Sequence, residues 1–313
     1  MLIHQMLNRC AKELRQPYFL LGMCLIGMMA LKVAPASAAI VNNNHLFQMS
    51  NTLNQKVLAL ANAKKITITD IDAPIFSGKL PIHLYAKSLD IYDQTRRLSD
   101  DNSLPDKGLP NSILRPTNVL NLLSDINDVM DSALRNAQIN PQGFEQERPL
   151  GKNANEAFRD LWLLSYRLAA LVPPPNAIET LHQLNMIEAQ VRLIATQTQL
   201  TIPSVSLGEA SAKTPRDVML TLYQDMHLLG RLQRQLGTEA IAPGALRSGE
   251  LGMADIYDTA RTLLADLHRM KTSLSIDNAA KNIPMPKTAS LNDLYSRAQL
   301  VHDLLLSLTG SSL

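Results

Sequence analysis

The segment Lys213–Leu232, KTPRDVMLTLYQDMHLLGRL, carries a helix start that can be read residue by residue. Thr214 is a capping residue, and Pro215 suits the first helical position, where its missing N–H is not wanted. Asp217 falls three residues after the cap, the spacing of a capping box, with Asp in place of the usual Glu or Gln. Val218 then opens an apolar stripe through Leu222, Met226, Leu229 and Leu232. Steps of three and four over about twenty positions place such residues on one helix face.

The same pattern recurs through the chain. Ile256 heads a stripe through Ala260, Leu263, Leu267 and Met270, and Leu294 heads another through Ala298, Val301, Leu305 and Leu308. Val218, Ile256 and Leu294 are evenly spaced, and Val119 and Ala157, which head two earlier stripes, stand at that same separation. Leu46, Leu53, Val57 and Leu60 form a weaker stripe, a second runs from Pro81 to about Leu98, and a further helix covers about Ala177–Gln199. The fold class expected is all-α, with about eight helices.

The eight divide into two fours. Laying Leu53 on Ile187 also lays Val57 on Val191, Leu60 on Ile194 and Lys79-Leu80-Pro81 on Lys213-Thr214-Pro215. Laying Val119 on Ile256 also lays Asn155-Glu156 on Asn292-Asp293 and Phe158 on Tyr295. Matched loop residues are the stronger part, because hydrophobic stripes superpose between any two helices. The pattern predicts a tandem duplication, with related four-helix units over 39–172 and 177–313, arranged as bundles or as a repeat array. Val172-Pro173-Pro174-Pro175-Asn176 joins them as a short stiff spacer.

The other connections are long, and several place an apolar residue and then Pro soon after the helix: Ile139-Asn140-Pro141, Ile202-Pro203, Ile241-Ala242-Pro243 and Ile283-Pro284. Loops of this length are uncommon in compact domains. A twenty-residue helix is about 30 Å long and sixteen extended residues reach about 50 Å. The loops can therefore run back along their helices, making successive helices parallel, or hang from an antiparallel bundle. Regularly placed Ile favours packed loops, but the sequence leaves both orders open.

The N-terminus reads as a leader. Arg9, Lys12 and Arg15 precede the uncharged run Tyr18–Leu31, and the small-x-small pattern Ala36-Ser37-Ala38 follows. That arrangement is a secretory signal peptide over 1–38, cleaved after Ala38. The run falls short of the roughly 20 residues of a membrane span. The location expected is periplasmic or secreted, with no membrane span after cleavage. Cleavage takes both cysteines, Cys10 and Cys24. It also takes Arg9, Lys12, Arg15 and Lys32 against the single acid Glu13, which turns the formal charge from +2 to −1. The mature chain has no disulfide, no thiolate site and no basic field to recruit nucleic acid.

Possible chemistry is sparse. Glu156, Asp217, Asp255 and Asp293 precede the stripes, with Asn118 at the matching site, and their spacing from Asn153, Thr214, Gly252 and Ser290 reads as capping. The aromatics Tyr85, Phe158, Tyr257 and Tyr295 follow stripe-opening residues and read as packing groups. His182, His227, His268 and His302 point away from the core faces and read as solvated. Neither Asp125, Asp128 and Asp131 nor Asp100-Asp101-Asn102 has calcium-loop spacing. No metal site, cofactor site or catalytic motif is expected.

The remaining unusual stretch is Glu156–Val172, EAFRDLWLLSYRLAALV, apolar nearly all round and holding the single tryptophan. It reads as a central helix packed by both halves, or as an exposed aromatic face that receives a partner or an apolar ligand. The candidate binding residues are Phe158, Trp162 and Tyr166. The function expected is a non-enzymatic binding or scaffolding protein with a protein partner. The alternative is a small-molecule receptor with its pocket between the halves.

Overall fold

Each helix starts on a side chain three residues past its cap. The structure, a computed structural model, describes residues 40–99, 105, 107–110, 112–246, 249–276 and 283–310. The expected leader and Asp100-Asp101-Asn102 lie outside the described residues. Among those described, the chain is all-helical: α1 Asn43–Ala63, α2 Pro81–Ser99, α3 Pro116–Asn136, α4 Ala154–Leu168, α5 Ala177–Gln197, α6 Pro215–Gln235, α7 Met253–Ser273 and α8 Leu291–Leu308. The starts of α5, α6, α7 and α8 are evenly spaced along the chain, as the stripe heads lead one to expect.

In α4 to α8 the cap N–H donates to Glu156, Glu179, Asp217, Asp255 or Asp293, at 2.8–3.1 Å. In α1, α2 and α3 the acceptors are His45, His83 and Asn118. The helices end as regularly. A residue with φ near +60°, such as Lys65, Gln138, Gln199 or Ser275, turns the chain. The next N–H then reaches back over the last turn, Ile66 to Ala61, Ile139 to Leu134, Leu200 to Ala195 and Ile276 to Lys271, which satisfies carbonyls the helix leaves open. This is the structural place of Ile139. Ile202, expected to anchor a loop, is exposed instead.

The connections decide the helix directions. They are not equal: six of the seven are long and similar in length, and the one between α4 and α5 is about half as long. Gln146 accepts from Gln48 and donates to Thr52, Arg148 meets His45, and the Lys152 N–H donates to Asn44. The α3–α4 connection therefore runs along α1 toward its start, so α3 ends where α1 ends and α4 begins where α1 begins. The α6–α7 connection runs back along α6 in the same way, with Ile241 beside Gly230 and Ala245 accepting from Tyr223. Long connections return the chain, and successive helices are parallel, the packed-loop arrangement. The short proline joint is the one place where direction reverses.

Contacts pair α1 and α2 each with α3 and α4, and α5 and α6 each with α7 and α8. Leu53, Leu84, Leu123, Ile126 and Leu161 lie in one core, and Ile187, Leu222, Leu263 and Val301 in a second. The parallel order brings helix starts together, and a repeated clasp ties them. Lys152, Lys79 and Lys213 each lie two residues before a helix. Their N–H groups donate to Asn44, Asn155 and Asn292, the second residues of neighbouring helices, at 2.8–3.0 Å. Their ammonium groups sit 4.5, 4.3 and 4.0 Å from the rings of Phe47, Phe158 and Tyr295, three residues further on. The loop residues that superpose between the halves are the parts of this clasp.

The two bundles meet through α2 and α7, running antiparallel. Ala86 and Ala265 let the backbones approach, with Ile82 and Leu114 beside them. The helix buried on all sides is thus α2, not the stretch expected at Glu156–Val172: α4 packs on α1 and α2 alone. Its apolar circumference faces its own bundle and a cleft.

Candidate functional site

Polar residues recur along α2 at His83, Lys87, Asp90 and Gln94, steps of four, three and four that make a second stripe beside the apolar one. All four are buried: His83, Lys87 and Asp90 face α7, and Gln94 meets Ser165 of α4. The His83 Nδ1 accepts from the Leu80 N–H at 3.0 Å, so its Nε2 carries the proton and donates to Asp266 at 3.2 Å. Burial lowers the His83 pKa. Lys87 pairs with Asp258 at 2.6 Å, and Asp90 lies 2.8 Å from the Arg261 Nε. Burial pushes Asp90 up to about 6, against the pull of Arg261.

Beside this seam a cleft opens between the bundles, with Trp162 in the wall of both of its hollows. One hollow is lined by two returning loops, Pro74–Lys79 and Ile241–Ala245, together with Met219, Tyr223 and Thr262. The loops touch: a Cβ added at Gly78, whose φ is +65°, would lie 2.7 Å from an Ile241 methyl. Phe76 meets Phe158 edge-on at 4.8 Å and Trp162 at 6.4 Å. Lys79 sits over Phe158, forms no ion pair among the described residues, and is pushed down to about 8 by burial.

The second hollow shares Trp162, Asp255 and Asp258 with the first. Asp90, Gln94, Ser165, Tyr166, Pro174 and Tyr257 are among its walls. Trp162 stacks on Tyr166 at 5.8 Å and 11°. Gln94 donates to Ser165 at 3.0 Å, while its carbonyl oxygen and one Asp90 oxygen have no hydrogen-bond donor.

The three residues singled out from sequence thus stand together at the cleft. Phe158 and Trp162 are buried and Tyr166 is half-buried. The α2 residues were missed by the sequence reading, although their spacing was legible as a polar stripe on a helix that already had an apolar one. The histidines need correction. Of the four expected to be solvated, only His227 is exposed; His268 donates to the Pro110 carbonyl at 2.8 Å, and His302 pairs with buried Asp225 at 3.0 Å. Flanks of a helix in a bundle are covered as well as its stripe. Among the described residues no three His, Cys, Asp or Glu side chains gather as a metal site, and no helix is long and apolar enough to cross a membrane.

Comparison with protein-family models, with curated proteins and with solved structures finds no significant match.

Proposed function

We propose that the chain is an exported, non-enzymatic binding protein that takes a small molecule in the cleft between its two bundles. The observation that carries this reading is the pair of concave hollows that share Trp162 as a wall, each combining aromatic rings with a few buried polar groups. Of the two functions the sequence suggests, a protein partner and a small ligand, the concave joint supports the second. His83 offers no general base, since both of its ring nitrogens are engaged and neither presents a free lone pair.

Trp162 is the single tryptophan and therefore reports on the cleft without competition. The test is a fluorescence and thermal-shift screen of the mature protein against small cationic, anionic and neutral aromatic and aliphatic compounds. A true ligand at a hundred times its Kd stabilises by about 2.7 kcal/mol, and it should perturb Trp162 with the same concentration dependence. If no compound moves either signal, the reading fails and a protein partner becomes the better hypothesis. Export is tested separately: the protein recovered from its producing cell should begin at Ala39 and fractionate outside the cytoplasm.

A further inference from the structure

The hollow walled by Asp90 and Gln94 has a one-sided chemistry. Asp90, Asp255 and Asp258 line it, and no Lys or Arg does. Two of those acids are engaged, Asp258 with Lys87 and Asp255 with the Gly252 N–H. Asp90 is different. It is 3% exposed, and one of its oxygens pairs with the Arg261 Nε at 2.8 Å while the other has no hydrogen-bond donor. Gln94, also 3% exposed, leaves its carbonyl oxygen without a donor at the same wall. A buried acceptor without a donor is costly, and two of them stand at this one hollow. What the second Asp90 oxygen and the Gln94 carbonyl lack is an N–H group. The other walls are the rings of Trp162, Tyr166 and Tyr257, and aromatic faces attract cations.

We propose that this hollow binds a primary ammonium group carried on an apolar or aromatic body. The proposal rests on the cleft being a ligand site and adds its chemical class. The ammonium donates to Asp90 and to Gln94, supplying what the fold leaves unmet. The body lies against the Trp162–Tyr166 stack. A primary amine suits these walls better than a quaternary one, because the acceptors demand N–H donors that a trimethylated nitrogen lacks. An anion is disfavoured by the three carboxylates.

The experiment titrates the mature protein with 2-phenylethylamine, with its N,N,N-trimethyl analogue and with 3-phenylpropionate, following Trp162 fluorescence and checking by calorimetry. The expected order is primary amine first, the trimethyl analogue weaker by roughly tenfold or more, since charge-assisted hydrogen bonds are the stronger kind, and no saturable response to the carboxylate. Asp90→Asn and Gln94→Leu should each weaken the amine by roughly tenfold or more while circular dichroism stays that of the wild type. Gln94→Leu guards against misfolding, since it gives up one neutral hydrogen bond, to Ser165, and unpairs no buried charge. Equal binding of the amine and its trimethyl analogue, or amine affinity unchanged in Gln94→Leu, overturns the proposal. If 3-phenylpropionate alone binds, the ammonium assignment is wrong while the cleft remains a ligand site. If none of the three binds, water fills the hollow and the assignment is wrong. The wider screen then decides whether the cleft binds anything.

Discussion

Replacing Arg261 by Met should damage the molecule more than most single substitutions. Arg261 reaches from α7 to Asp90 on α2, to the Ala86 carbonyl at 3.4 Å and to Gln183 on α5 at 3.5 Å. Methionine keeps much of the stem but removes the charge, leaving Asp90 buried with Lys87 as its remaining cationic influence. Removing one partner of a buried pair costs about 3–5 kcal/mol. At roughly 2–4 °C per kcal/mol for a chain of this size, the melting temperature should fall by about 6–20 °C. Replacing both partners, Asp90→Leu with Arg261→Met, removes the stranded charge as well and should return the protein to within about 1 kcal/mol of wild type. The two single variants and the double variant form a cycle, measured by urea unfolding and by calorimetry, with a coupling of about 3 kcal/mol expected. An Arg261→Met protein melting within about 2 °C of wild type, less than the smallest shift expected for such a loss, would refute the reasoning, because Asp90 would then not be held charged and dry.

Gly78→Ala combines a left-handed φ with an overlap on Ile241 and should destabilise by roughly 2–4 kcal/mol; adding Ile241→Ala should relieve the overlap and recover part of the loss, and strict additivity in urea unfolding would show that the loops do not touch. Asn292→Ala strips the Lys213 N–H of its acceptor and should cost about 1 kcal/mol, seen as faster amide exchange at Lys213; unchanged exchange there counts against the clasp. Asp225 is pushed up to about 7 by burial, and His302 is raised by its hydrogen bond to Asp225. Both groups hold protons more tightly folded than unfolded, so the pair contributes stability that grows as pH falls from about 8 toward 5 and is lost as pH rises through the folded values. Asp225→Asn should shrink the difference in melting temperature between about pH 8 and pH 6, and an unaltered difference would rule the pair out as its source.

The helix starts were legible because each is written in a few adjacent residues: Thr214, Pro215 and Asp217 need no distant partner to form a cap. The direction of successive helices was not, because it depends on where a loop packs. Gln146 against Thr52 and Ala245 against Tyr223 are contacts between residues whose pairing no local pattern encodes. Phe158, Trp162 and Tyr166 were found by composition, as aromatics concentrated on one helix. Asp90 and Gln94 were overlooked because polar residues on a helix normally mark its wet side, and only the approach of α7, permitted by Ala86 and Ala265, and the contact of Gln94 with α4 make that side dry. The same bias misplaced His268 and His302. The matched Lys79 and Lys213 were visible as a repeat, but their partners, Asn155 with Phe158 and Asn292 with Tyr295, become partners only when helix starts lie side by side.

The single reversal of the chain at Pro173–Pro175 has an electrical consequence. Four parallel helices add their dipoles, each equivalent to about half a charge at either end, so each bundle is a rod with a positive and a negative pole of about two charges. In the second bundle Glu179, Asp217, Asp255 and Asp293 sit on the positive pole, while α1, α2 and α3 carry no acid in their first turns. Folding back at the prolines lays the positive pole of one rod beside the negative pole of the other, where Arg97 at the end of α2 also reaches Glu179 at the start of α5. At that end the four carboxylates outweigh the dipole charge they cap, so what holds the second bundle's helix starts against the first bundle's helix ends is direct pairing such as Arg97 with Glu179, and any attraction between the rods' own dipoles is left to their opposite ends.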